Sequence, residues 1–149
     1  MLASLSIKQS LDAQSTLIPE TRKKMRLTYL RPMLETADLR ETIKFYTERL
    51  GFVCQDMFPD DVHPVWASLQ KDSVEIMFTV RNEHSSIEQP MMTGSLYFDP
   101  DDVDAVWEEL KDKVTVEYPI ENFDYGMREF AIRDCNGYLL QFGQEISEN

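Results

Sequence analysis

A pattern of strand, helix and three strands occurs twice along the chain, and this repeat constrains the fold more than any other feature. The strand-like runs of the first copy cover 27–35, 52–57, 65–69 and 74–80, and those of the second cover 95–98, 114–118, 129–133 and 138–142. An apolar helical stripe follows the first strand of each copy. The repeat predicts an α+β fold of two βαβββ modules, each with its helix on one face of a sheet.

The start of each predicted helix carries a capping signal. Asp38 is followed three residues later by Glu41, the spacing of a capping box, and Gly51 is placed to end this helix. In the second copy Asp99 is predicted to cap the helix, with Pro100 at its first position. These signals separate the helices from the strands around them.

Charge and polarity divide the chain into an extension and a domain. We predict an N-terminal extension at 1–24 and a domain at 25–146, made of module one (26–81), a linker (82–92) and module two (93–144). The extension is polar and has four basic and two acidic residues, so the net charge of −12 becomes −14 on the rest. Either the extension lies outside the folded domain or a helix at 5–13 packs on its surface.

Composition excludes several classes of function. A net charge of −12 disfavours nucleic-acid binding, which needs a basic face. No apolar run reaches the roughly 20 residues of a membrane span. The cysteines, Cys54 and Cys135, are far apart and form no CxxC motif, which favours a reducing cytoplasm over a disulfide-stabilised or zinc-binding protein. The acidity favours solubility or a cationic partner.

Alternation along the predicted strands gives each sheet two different faces. One face is apolar and is expected to pack under the helices; it includes Leu30 and Leu34. The other face mixes apolar and polar groups, which is typical of a ligand cleft but also of a solvent-exposed face. Its members include Arg31, Met33, Glu35, Glu75, Met77, Ser95, Tyr97 and Gln141.

Two stretches of the chain resemble the vicinal oxygen chelate superfamily, which includes glyoxalase I, extradiol dioxygenases and bleomycin-resistance proteins. The first stretch covers 30–39 and 45–52. The second, 125–142, is similar to the bleomycin-resistance branch, in which a run WG-x-REF-x-x-x-DP-x-GN is usual. Here Tyr125 replaces the tryptophan and Cys135 replaces the proline. The resemblance implies two modules whose mixed sheets curl around a cleft.

Enzymes of this superfamily hold a divalent metal ion with side chains from four strands, generally His, Glu or Gln. The resemblance places these positions at Arg31, Met77, Ser95 and Gln141. Of these, Gln141 alone is a plausible ligand, and a weak one, while the guanidinium of Arg31 repels a cation. We therefore predict no metal ion, no cofactor and no catalytic residue. The alternative is an enzyme (a lyase, isomerase or dioxygenase) with an atypical metal site around Glu35, Glu75 and Gln141.

The bleomycin-resistance branch implies binding without chemistry, by a homodimer that sequesters a cationic, flat-ringed antibiotic in an acidic cleft. We predict a cytoplasmic, metal-independent protein that binds a small molecule, with no nucleic-acid or membrane partner. Three aromatic residues near the expected cleft join the candidate ligand-binding residues: Trp66, Phe123 and Tyr125. Trp107 lies on a helical stripe and is predicted to be core. A third hypothesis is a dimerisation or regulatory module with a vestigial cleft.

Overall fold

The computed structural model describes residues 28–81 and 88–146, so the predicted extension at 1–24 and residues 82–87 of the predicted linker lie outside the described residues. Arg31–Asn149 forms one compact unit. The helices and strands of the described residues all lie in this unit. They are β1 (Met33–Thr36), α1 (Leu39–Glu48), β2 (Val53–Phe58), β3 (Trp66–Lys71), β4 (Val74–Val80), β5 (Leu96–Phe98), α2 (Val103–Leu110), β6 (Thr115–Asn122), β7 (Met127–Arg133) and β8 (Leu139–Glu145).

Each module forms a four-stranded mixed sheet, with strand orders β1-β4-β3-β2 and β5-β8-β7-β6. The first strand of each module pairs in parallel with the last, and the other pairs are antiparallel. Met33 lies opposite Met77 in module one, and Tyr97 lies opposite Gln141 in module two. When Met77 is aligned with Gln141, the strand registers of the two modules are therefore equivalent. The predicted α+β class and the doubled βαβββ order are confirmed. Within the described residues, the two sheets share no strand pairing.

The helix starts confirm one predicted cap and correct the other. Asp38 caps α1, and its carboxylate accepts a hydrogen bond at 3.0 Å from the N–H three residues further on. The prediction that Asp99 caps the second helix is wrong, because α2 begins at Val103 with Asp102 as its cap. Gln144 on β8 accepts a hydrogen bond from the N–H of Val103 at 3.1 Å, which ties this helix start to the sheet.

The apolar face of each sheet packs under the helices. In module two, Phe142 stacks on Phe98 and on Phe130, with ring centroids 5.0 Å apart in each pair. Trp107 on α2 contacts Phe130 edge-on at 5.2 Å, so its predicted core position is confirmed. The prediction is wrong for Leu30, which is 91% exposed. Because the helices cover these faces, the mixed faces of both sheets are left open.

The two modules contact each other on the helix side through buried polar groups. Tyr46 on α1 donates a hydrogen bond from its hydroxyl to Oδ2 of Asp134, in the turn between β7 and β8, at 2.9 Å. Thr36 donates to Oδ1 of Asn136 in the same turn at 2.7 Å. Burial raises the pKa of Asp134 even though several hydrogen bonds favour its charged form. No helix in the described part of the chain has the length and apolar character needed to cross a membrane.

Candidate functional site

A buried carboxylate on the open face of module two organises three tyrosines. Glu129 on β7 is only 3% exposed. Its Oε2 accepts a hydrogen bond from the Tyr97 hydroxyl at 2.7 Å, and its Oε1 accepts from Tyr118 at 2.9 Å and from Tyr125 at 2.7 Å. These four residues are called the Glu129–tyrosine cluster below. Its residues come from β5, β6, β7 and the loop before β7, so three of the four strands of the module two sheet position it.

A glycine makes the approach of Tyr97 possible. Gly143 on β8 lies opposite Glu129 in the β7–β8 ladder. A Cβ atom on Gly143 would overlap the Tyr97 hydroxyl and lie 2.6 Å from its Cζ, far inside van der Waals contact. The Tyr97 ring therefore crosses β8 at the residue with no side chain, and this path lets its hydroxyl reach Glu129.

A chain of hydrogen bonds connects two more predicted site residues to the cluster. The Ser95 hydroxyl donates to Oε1 of Gln141, and Nε2 of Gln141 donates to the Tyr118 hydroxyl at 2.9 Å. Tyr118 in turn donates to Glu129. The amide of Gln141 is thus oriented by one partner at each end, and Ser95 is linked to Glu129 through two intervening side chains.

The cluster is built around a negative charge. Burial favours the neutral form of Glu129, but the three tyrosine hydrogen bonds outweigh burial and hold the pKa of Glu129 below its ordinary value. Burial, the hydrogen bond to Glu129 and its charge raise the pKa of Tyr97 well above its ordinary value, and they raise the pKa of Tyr125 to about 12. At neutral pH the cluster therefore holds a carboxylate and three neutral phenols.

The hydrogen-bond directions determine what this surface can bind. Each phenol has committed its one proton to Glu129, so its oxygen offers only lone pairs to any further partner. The Tyr118 oxygen already accepts from Gln141. Tyr97 and Tyr125 are 41% and 64% exposed. The accessible part of the cluster is therefore a pair of acceptors next to an anion, which suits a cationic or N–H-rich group.

The aromatic rings of the cluster extend to the loop before β7. Phe123 stacks on Tyr125 with ring centroids 5.2 Å apart and an interplanar angle of 21°, and it contacts Tyr118 edge-on at 5.8 Å. Aromatic faces in this arrangement attract cations and stack on flat rings. The loop thus supplies a flat, partly exposed ring beside the acceptors.

The open face of module one is different in kind. Nη1 of Arg31 lies 2.9 Å from Oε1 of Glu75, and the Ser68 hydroxyl donates to the same oxygen at 2.7 Å. The hydrogen bonds from Ser68 and Arg31 hold the pKa of Glu75 below its ordinary value. Met33 and Met77 face each other across the β1–β4 ladder.

Two further predicted residues lie on strands of the same sheet. Trp66 on β3 is half-buried and pairs with β4 two residues beyond Met77. Glu35 on β1 accepts a hydrogen bond from the Tyr138 hydroxyl through its backbone carbonyl at 2.7 Å. Module one therefore places apolar side chains around a charge pair.

The residues at the four expected metal positions do not fit a divalent metal ion. Arg31 is a cation paired with Glu75, and Met77 offers only a thioether. Ser95 and Gln141 are hydrogen-bonded to each other. In residues 28–81 and 88–146, no group of three or more His, Cys, Asp or Glu side chains is arranged to hold a metal ion.

Neither cysteine has the environment of a nucleophile. Cys54 on β2 is half-buried, and burial raises the pKa of its thiol. Cys135 is an exposed residue, yet burial of its thiol and the nearby Asp134 charge raise its pKa to about 11. Both thiols are therefore protonated at neutral pH, and a thiolate is the reactive form.

The structure brings Ser95, Tyr97, Tyr125 and Gln141 into one network, but the residues that join them, Glu129 and Tyr118, are absent from the sequence prediction. A signal for Glu129 was present. It is a carboxylate directly before the apolar run 130–132 on a predicted strand, where a charge is expected only with dedicated partners. Its partners come from other strands, and their register is not readable from the strand itself.

Comparisons with known proteins agree with this architecture. The model of the Glyoxalase/Bleomycin resistance protein/Dioxygenase superfamily matches residues 28–142. No curated protein matches the chain.

Solved structures with the same fold are distant in sequence. A glyoxalase/bleomycin resistance protein/dioxygenase from Nocardioides has a TM-score of 0.67 at 17% identity, covering 84% of this chain and 87% of its own. TioX from Micromonospora sp. ML1 has a TM-score of 0.64 at 17% identity, covering 82% and 99%. A virulence protein from Salmonella typhimurium has a TM-score of 0.61 at 21% identity, covering 82% and 100%. At these identities the likeness concerns the fold alone.

Proposed function

This chain belongs to the Glyoxalase/Bleomycin resistance protein/Dioxygenase superfamily, and we propose that it is a metal-independent protein that binds a small, flat organic cation. The observation that carries the proposal is the Glu129–tyrosine cluster, in which a buried carboxylate accepts three phenol hydrogen bonds. The residues at the expected metal positions do not form a competing metal site. Sequestration of a cationic antibiotic is one biological use of such binding.

Charge and hydrogen bonding favour a cation over other ligands. The carboxylate of Glu129 has no described cationic partner, since the ion pairs among the described residues involve other acids. A ligand cation that approaches Tyr97 and Tyr125 meets phenol oxygens that can only accept. The stacked ring of Phe123 adds a flat surface beside them. An anionic ligand would meet repulsion at the same place.

Calorimetric titration with a matched pair of flat compounds tests this proposal. 9-Aminoacridine is cationic at pH 8, whereas acridine has nearly the same shape and is neutral there. We expect 9-aminoacridine to bind more tightly, and we expect bleomycin, a cationic glycopeptide with flat rings, to raise the melting temperature. Equal binding of the two acridines, or no binding of either at high micromolar concentration, contradicts the proposal.

A variant locates the binding to the cluster. Glu129→Gln removes the charge and keeps the shape, so it is expected to weaken binding of 9-aminoacridine while acridine binding is little changed. Glu117→Gln is the matched control, because Glu117 is exposed on β6 and pairs with Arg133. If both variants weaken binding equally, the effect is one of net charge and not of the site.

The alternative, an enzyme with an atypical metal site, has a direct test. Of its three candidate ligands, Glu75 is engaged by Arg31 and Ser68, and Gln141 lies in the other sheet. Elemental analysis of protein purified without chelator is expected to find no bound transition metal. Nickel, zinc, iron or manganese near one equivalent would overturn the metal-independent proposal.

We also propose that the protein is a homodimer in which a second copy covers the open faces. Large side chains remain exposed on module one, with Met33 at 59% and Phe58 at 63%, and Tyr125 remains exposed on module two. A second copy that covers them would bring these side chains into one apolar contact area, which is typical of an interaction surface. Sedimentation at micromolar concentration is expected to give twice the chain mass of 17.4 kDa. A single 17.4 kDa species contradicts the dimer and leaves the cation test unaffected.

A further inference from the structure

A cavity lies on the helix side of the molecule, away from the open faces. Its volume is about 390 Å³, within the range of small-molecule sites. Module one contributes Leu50 and Phe52, which are buried, and module two contributes Val106, Phe98 and Phe142. None of its lining residues takes part in the described hydrogen bonds between the modules.

Aromatic side chains of module two line part of this cavity. The Phe98 and Phe142 rings stack with centroids 5.0 Å apart and an interplanar angle of 16°. Helix α2 forms one side, with Ala105 and Val106 among the lining residues. An aromatic or branched apolar group placed here exchanges water contact for contact with these side chains, which is favourable in proportion to the area covered.

The rim of the cavity is strongly acidic. Five exposed carboxylates and one lysine line it: Asp72, Asp99, Asp101, Asp102, Glu109 and Lys71. Lys71 donates to the backbone carbonyl of Leu50 at 2.8 Å, and Asp102 caps α2. The other four carboxylates form no ion pair within the described part of the chain. A negative potential at the mouth of an apolar cavity concentrates cations there.

We propose that this cavity is a separate binding site for an organic monocation with an aromatic body. The apolar body would lie against Phe98 and Phe142, and the ammonium group would face the carboxylates of Asp99 and Glu109. This site shares no residue with the Glu129–tyrosine cluster, so it does not depend on the function proposed above.

Three probes of nearly equal shape test the charge preference. They are 2-naphthylmethylammonium, the neutral 2-naphthalenemethanol and the anion 2-naphthoate, each titrated while backbone amide signals are followed by NMR. We expect the cation to bind most tightly and the anion most weakly, with the largest shifts at the amides of Ala105 and Val106. Shifts confined to β7 and β8 around Glu129, equal binding of the three probes, or no shift on α2 would overturn the proposal.

Two variants and a matched control test the location. Ala105→Phe fills the cavity from α2 and is expected to weaken the cation at least tenfold. Glu109→Lys reverses one rim charge and is expected to weaken it roughly two- to fivefold, the effect of a solvent-exposed charge pair. Asp61→Lys makes the same charge change in an exposed loop outside the cavity and should leave affinity unchanged. If Ala105→Phe does not fold, the two lysine variants decide; equal effects of both would refute the site.

Discussion

The path of Tyr97 across Gly143 makes a sharp test of the Glu129–tyrosine cluster. In Gly143→Ala the new methyl group would overlap the Tyr97 hydroxyl and lie 2.6 Å from Cζ. The ring must rotate away, and its 2.7 Å hydrogen bond to Glu129 is lost. Gly143 is not strained by a positive φ, so alanine is otherwise acceptable there. The variant thus acts on one contact and not on the backbone.

Two opposing contributions set the stability of this variant. A hydrogen bond to a charged group contributes about 1.5–3 kcal/mol, and the exposure of Tyr97, 41%, places this bond near the lower end. Alanine in place of glycine within a strand raises the free energy of unfolding by about 0.5–1 kcal/mol. We therefore expect Gly143→Ala to lower the free energy of unfolding by only about 1 kcal/mol, measured in urea. A loss above about 3 kcal/mol would mean that the methyl group disturbs more than one ring.

Tyrosine ionisation gives the more specific measurement. The chain has six tyrosines, and the pKa of Tyr97 lies well above its ordinary value of 10.0 because of burial and Glu129. In Gly143→Ala, absorbance at 295 nm should show one more tyrosine ionising near pH 10 than in the wild type. Gly94→Ala is the control, since a Cβ atom at Gly94 meets nothing within 4 Å. An unchanged alkaline titration in Gly143→Ala would refute the contact.

Three further predictions concern buried groups and pH. Glu129→Gln should lower the free energy of unfolding by about 1–3 kcal/mol at pH 7. Because the folded pKa of Glu129 is lowered, that stability is present above its ordinary value of 4.5 and is lost as pH falls through the folded pKa. The difference between variant and wild type in urea unfolding should therefore shrink as pH falls below 4.5. Tyr46→Phe should cost about 1–3 kcal/mol in the same assay, since Oδ2 of Asp134 loses its 2.9 Å donor; no change would contradict this. The pKa of Tyr46 is raised by burial and Asp134, so the stability that this group contributes is present below pH 10 and is lost as pH rises above it. Above pH 10 the melting temperature of Tyr46→Phe should therefore fall less steeply with pH than that of the wild type.

The sequence predicted the architecture well because its signals are local. Each signal spans only a few residues: the alternation of apolar residues, the Asp38 cap and the turns. The repeat provides most of these signals twice. The position of the second helix start was wrong because Asp99 and Asp102 are both suitable caps, and the sequence does not rank them. The Asp102 carboxylate accepts from the N–H of Ala105 at 2.9 Å, and the contact of Val103 with Gln144 on β8 adds to this start from 41 positions away.

The candidate site was only partly predictable for the same reason. Tyr97, Gln141 and Ser95 were identified by alternation on neighbouring strands, which places side chains on one face. Which carboxylate lies among them depends on the register between β7 and β8, where Glu129 lies opposite Gly143. Burial of that carboxylate and the direction of three hydrogen bonds are consequences of the assembled sheet.

The two modules have equivalent registers but different chemistry at equivalent positions. Matching Met77 with Gln141 gives three pairs on the open faces, Met33 with Tyr97, Met77 with Gln141, and Trp66 with Glu129. In each pair module one has the more apolar side chain, and module two has a hydrogen-bonding group that belongs to the network around Glu129. A ligand that contacts both kinds of face therefore needs an apolar surface on one side and a cationic or N–H-rich group on the other. Since the two sheets share no strand pairing in the described residues, a second copy of the chain is the partner that we propose to bring unlike faces together.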